Sequence, residues 1–343
     1  SARGLGLTRN KRFLASNFLI HITIRRRRCS TTPFHSPQAR ERESDRGGAE
    51  GMEGKHTEQA NVKAKLSTMH LKVICCKLYI SESQNAAVVD AISRIGQKDP
   101  EVGLLSKFED EYYNRVRYTL VSYITSESST GEAVFSPIRK VLLAMIEAAF
   151  SAINLEVHCG THPRIGVVDD MSFHPLSQAA TMEDAAQLAK LVASDIGNGL
   201  QVPVFLYAAA HPTSKSVSAV RRELGYYRPN HNGIQWTGQV LPDTLPVKPD
   251  VGPAHVSSKR GATMVGAKPF VESYNVPIFC KDVPTVRRIT RRVTGRSGGF
   301  PTVQALALFH GDNCTEIACA GSRPCWCRSG SVAGGADCRR ARA

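Results

Sequence analysis

The chain has 343 residues, 42% of them hydrophobic, enough for two domains of ordinary size with real cores. Its net charge of +14 suggests nucleic acid, yet the flanks hold the excess: residues 1–68 and 321–343 carry 14 and 5 Lys/Arg against 6 and 1 Asp/Glu, leaving 25 against 23 between them. A near-neutral middle argues against a basic nucleic-acid adaptor, and the absence of any run of 18 apolar residues argues against a membrane span. Ten cysteines, none in paired C-x-x-C spacing, read as free thiols of a reducing compartment rather than a zinc site.

Residues 1–68 have no acidic residue before Glu41 and a block at Arg25–Arg28, which suits an organellar transit segment or an upstream leader. Low hydrophobicity and high charge predict disorder. Regular patterning then begins. A strand is expected over 71–80 and a helix over 85–95 with Ala86, Val89, Ile92 and Ile95 on one face. Further along, a strand over 116–124 precedes a helix over 133–153, a strand over 165–173, a helix over 182–196 and a strand over 202–207. This alternation predicts an α/β (α+β) protein. Pro242, Pro246 and Pro249 mark a seam, so the first domain is placed at 69–247. A second unit over 248–320 would hold strands near 262–265, 271–279, 304–309 and 315–319 and a helix over 283–294. Residues 321–343, rich in Gly, Ser, Arg and Cys, are expected to be a disordered tail.

The loop His158-Cys-Gly-Thr-His162-Pro-Arg-Ile-Gly166 carries the chemistry. Pro163 disfavours the α region for His162, and Gly160 and Gly166 interrupt any helix, so His162 should sit on a rigid extended turn that aims its imidazole. His158 and His162 are four apart, as in a helical metal pair, but the glycine, the proline and the lack of a Glu after His158 argue against a metal. His158 and His174 read as hydrogen-bonded structural histidines, and Tyr118 as core. Arg287, Arg288, Arg291 and Arg292 form one helix face, read as solvated, with binding of a polyglutamate tail as the sharper alternative.

These motifs resemble the formiminotransferase family over about 71–320, most nearly its plant formiminotransferase-cyclodeaminase-like branch, without a cyclodeaminase half. The matches are Ser81-Glu82-Ser-Gln-Asn85, with Ser83 where the family has glycine, then Asn114-Arg115-x-x-Tyr118-Thr119, the His162-Pro-Arg164-x-Gly loop, and Asp250-Val-Gly252-Pro253-Ala-His255-Val-Ser257-Ser258-Lys259-Arg-Gly261-Ala-Thr. The resemblance implies two ferredoxin-like subdomains, the second truncated because the sequence departs from the family after Ala320. It implies transfer of a formimino (or formyl) group from N-formimino-glutamate to tetrahydrofolate as co-substrate, with His162 as general acid/base and no metal. Ser81, Glu82, Asn85, Asn114, Arg115 and Arg164 would face folate or substrate, with the two arginines as carboxylate anchors, and Gly252, Pro253, His255, Ser257, Ser258, Lys259 and Gly261 would contact the folate. A non-catalytic folate-binding protein is the alternative. A cytoplasmic location is expected, or a mitochondrion or plastid if the Arg-rich leader is genuine, and a homodimer stays open.

Overall fold

The computed structural model describes residues 71–126, 133–227, 245–311 and 313–322; the expected leader, the tail from residue 323 on and the seam around Pro242 lie outside them. The first strand, β1 (Lys72–Ile80), fixes the layering. Its residues alternate between the two faces of the sheet, so Ile74, Cys76, Leu78 and Ile80 enter one continuous core while Lys77 and Tyr79 point the other way. The core forms against three helices: α1 (Ala86–Gly96), α2 (Ser136–Ala152) and α3 (Met182–Ser194). Each helix starts where its sequence supplies a start. Asn85 caps α1, Pro137 opens α2, and Thr181 and Asp184 form a reciprocal capping box on α3.

The sheet runs β2-β3-β1-β5-β7-β6, with β2 (Val102–Asp110), β3 (Arg115–Ser126), β1 and β5 (Val168–Pro175) antiparallel, and the two-residue β4 (Ala133–Val134) added to β3. Beyond β5 the pairing turns parallel. The strand β7 (Thr263–Ala267) slots between β5 and β6 (Val204–Ala208). The sequence assigns this segment to a second unit starting at 248; pairing places it inside the first sheet, and the change of sheet follows Ala267. Prolines interrupted the periodicity without ending the sheet. Two elements carried no usable period: β2, whose Leu104 to Asp110 mixes apolar and charged residues along a largely exposed edge, and the short helix α4 (Val217–Glu223). A second cluster that includes Phe205, Tyr207, Val220, Tyr226, Val256 and Met264 covers the opposite face at the β6 and β7 end.

The second sheet has order β8-β10-β9, from β8 (Val271–Ile278), β9 (Val303–Phe309) and β10 (Thr315–Ser322), with α5 (Val283–Val293) packed on it. Here β10 continues past Ala320 through Ser322, so the expected start of the tail at 321 falls within a strand. The core of this unit is small: Val286, Ala307, Ile317 and Cys319. Tyr274, Val276 and Ile289 are exposed on it. No helix among the described residues is long and apolar enough to cross a membrane.

Candidate active site

A cleft of about 1080 Å³ lies between the two sheets. Strand alternation builds its floor: Lys77 and Tyr79 of β1, Arg115 and Arg117 of β3, and Asp170 and Ser172 of β5 project from the face opposite the helices. Arg221, Arg222, Tyr226 and Tyr227 at the end of α4 close one side; Lys268 follows β7; Asn275, Arg291 and Arg296 face them from the second unit. Eight Lys/Arg side chains against Asp110 and Asp170 make it strongly cationic.

His162 reaches this cleft. Its loop is anchored on both sides. Thr161 donates its N–H to the Tyr112 carbonyl (2.9 Å), and Val167 donates to that of Arg260 (2.9 Å). Gly160 lies so close to the Tyr113 backbone, and Gly166 to that of Ala262, that a β-carbon at either would overlap main-chain atoms. His162 Nδ1 lies 2.7 Å from the Pro163 carbonyl, which can only accept, so Nδ1 carries the proton and Nε2 the lone pair. The rings of Tyr113 (5.3 Å) and Tyr226 (6.4 Å) stand edge-on to the imidazole. Burial and then the charge of Arg115 hold the imidazole down to about 3, which keeps it neutral at physiological pH.

Beneath it, the Asp169 carboxylate is wholly buried and collects Arg115 Nη1 (2.5 Å), the Tyr226 hydroxyl (3.1 Å) and the Ile165 N–H (2.7 Å). Burial alone would push its pKa up; Arg115, Arg221 and these donors hold it below the usual carboxylate range. Asp170 accepts from the Tyr207 hydroxyl (2.9 Å) and Arg221 (3.2 Å). Arg115 therefore lines the cleft but is already ion-paired, and stacks on Tyr79 at 4.9 Å.

Most other sequence candidates support the loop rather than the cleft. Ser81 donates to the Gly166 carbonyl (2.8 Å); Glu82 accepts from the N–H groups of Gln84 and Asn85; Asn85 is the α1 cap. Asn114, in the left-handed region at φ 47°, accepts from the Ser83 N–H (2.8 Å) and donates to the Cys159 carbonyl (3.0 Å). Arg164 is buried against the His158 carbonyl (2.7 Å), outside the cleft wall. His158 donates to the Asn114 carbonyl, and His174 to that of Lys268, the structural roles expected of both. The segment from Gly252 to Gly261, with Pro253 and His255, is not on the cleft wall. Ser258 bonds Glu156 and the Lys259 carbonyl accepts from Leu155 N–H; Ser257 and Lys259 line a separate dent beside Asn154. Gly252 and Gly261, at φ 89° and 72°, instead allow that chain to cross the backbone at Gly197 and Gly166.

Missed in the sequence were Lys77, Arg117, Asp170, Arg221 and Lys268. Lys77 and Arg117 had a signal: cations at alternate positions of otherwise apolar strands mark a polar sheet face. At the rim, Asp110, His310 and Glu316 converge, a set whose atoms could hold a cation. As placed, His310 bridges the two carboxylates. Burial lowers the His310 pKa, but Asp110 at 2.9 Å and Glu316 at 3.8 Å outweigh it and leave it raised, so a cation would have to displace a proton.

An α/β sheet with a cationic cleft and a fixed neutral histidine offers a site whose charge complements a small anion. Residues 73–268 match the formiminotransferase domain, N-terminal subdomain, and the chain belongs to the formiminotransferase family. It is 43% identical over 245 residues to the formiminotransferase cyclodeaminase-like protein of Arabidopsis thaliana, covering 71% of this chain and 80% of that one. It is 28% identical to the glutamate formimidoyltransferase of Streptococcus pyogenes serotype M1 (69% and 73% covered), and 29% identical to the formimidoyltransferase-cyclodeaminase of Sus scrofa (69% and 41%).

Proposed function

We propose that this protein transfers a formimino group from N-formimino-glutamate to N5 of tetrahydrofolate in the cleft between the sheets, with His162 as general acid/base. The observation that carries the reading is the His162 tautomer: Nδ1–H is tied to Pro163, which leaves the Nε2 lone pair for a substrate proton. The cleft volume suits a folate, its tyrosines suit a flat pterin, and its cations suit the carboxylates of both substrates. N5 attacks the formimino carbon and its proton passes to Nε2. The tetrahedral adduct then collapses, the C–N bond to glutamate breaks, and Nε2–H protonates the departing amine. Burial is the first cause of the depressed imidazole pKa, and a substrate carboxylate set against Arg221 would offset part of the charge that adds to it.

The test is His162→Ala, assayed for glutamate release from N-formimino-glutamate and for folate binding. The expected result is a rate lower by roughly two to four orders of magnitude with nearly unchanged folate affinity, because a general acid/base acts on the transition state. Full activity in the variant would sink the mechanism. The small core and exposed apolar residues of the second unit favour a second reading, a folate-binding protein without turnover, which wild-type binding without glutamate release would establish.

A further inference from the structure

We infer that Tyr113 is a positioning residue for His162 and that the second sheet holds it in place. Tyr113 sits in the turn between β2 and β3 and is 4% exposed. Its ring touches two histidines edge-on, His162 at 5.3 Å and His310 at 4.9 Å. Its hydroxyl donates to Glu316 of β10 (2.8 Å), which also accepts from Asn275 of β8 (2.8 Å), and its N–H donates to Asp110 of β2 (2.9 Å). The side chain whose ring walls His162 is thus fastened by its far end to the other sheet.

This rests on His162 being the reactive group, but the arrangement has its own consequence. The groups around His162 are Arg115 of β3, Asp169 of β5, Arg221 of α4, Tyr226 and Tyr113. Only Tyr113 is anchored by the second sheet among these, through Glu316 and the Asp110–His310 pair. Loosening that anchor should admit more water to the half-buried imidazole, whose depressed pKa stems first from burial. The second unit would then serve the site by limiting the water around its base, besides lining the cleft.

The experiment is a pH titration of His162 by NMR in the histidine-labelled full chain, its signal assigned by loss in His162→Gln. In the wild type the signal should not titrate above pH 5. Tyr113→Leu, which removes the ring, should bring a midpoint above pH 5, and Tyr113→Phe, which keeps the ring but loses its bond to Glu316, should raise the midpoint by less. Glu316→Ala, in the other sheet, should shift His162 in the same direction by a smaller amount. If the wild type turns over, Tyr113→Leu should lower kcat at least tenfold with KM within about twofold, and Tyr113→Phe, which keeps the ring, should lower it less. The titration reads the positioning whether or not the chain is an active transferase. An unmoved His162 in Tyr113→Leu would overturn the proposal, and a shift there with none in Glu316→Ala would overturn the role of the second sheet. Should Tyr113→Leu fail to fold, Glu316→Ala alone decides, since an unmoved His162 in it refutes the clamp.

Discussion

Asp169 shows how one side chain organises its neighbours. It takes hydrogen bonds from Arg115, Tyr226 and the Ile165 N–H, joining β3, the end of α4 and the histidine loop at one buried carboxylate. Replacing it by Asn leaves the Arg115 charge buried with no counter-ion. Such a change costs about 3–5 kcal/mol, and we expect Asp169→Asn to lower the urea midpoint accordingly. The double variant Asp169→Asn/Arg115→Met should recover part of the loss, since no stranded charge remains. A double variant no more stable than the single one would mean that the pair itself is worth more than its desolvation. The two arginines predicted as anchors illustrate the limit of motif reading at this scale. Arg115 and Arg164 are alike in sequence context, but only one of them lines the cleft.

At the level of elements, the segment from Gly252 to Gly261 crosses behind the histidine loop and away from the cleft wall. Substituting Lys259 should therefore leave folate affinity within about twofold of wild type. Substituting Arg117, which faces into the cleft from β3 and stacks on Phe108 at 5.4 Å, should weaken it by roughly tenfold or more, the scale of one charge-assisted contact. Folate titration of Lys259→Ala and Arg117→Ala checks this; the reverse order of effects would put the ligand on the other side of the loop. The elements themselves were largely readable. Asn85, Pro137 and Thr181 sit at helix starts because their side chains or fixed φ satisfy the first turn locally. Strand β2 was not readable, because an exposed edge strand imposes no apolar alternation.

At the scale of the whole molecule, two buried histidines and the half-buried His162 shape the response to acid among the described residues. Burial holds His158 and His174 down to about 4, and burial with Arg115 holds His162 down to about 3, all below the ordinary 6.5. The unfolded chain then binds more protons than the native one between those values and 6.5, so stability rises with pH there and falls as pH drops from 6.5 toward 4. His310 acts oppositely: its pKa is raised, so its stabilisation is present below 6.5 and is lost as pH rises through the raised value. We expect chemical denaturation to show a steep loss of stability between pH 6.5 and 4, blunted in His174→Gln; a flat profile would mean that these rings are solvated.

The sequence by itself determined the starts of α1, α3 and α5, most of the alternating strands, the family and the one histidine held on a rigid loop, because all of these follow from neighbours within a few residues. Tertiary structure decided the rest. That β7 enters the first sheet and that Lys77, Arg117 and Asp170 share one face depend on pairing between strands far apart in the chain, while Arg164 turns inward onto the His158 carbonyl of its own loop. The physical reason is that a side chain's electrostatic surroundings are set by register and sheet order, which local periodicity does not encode.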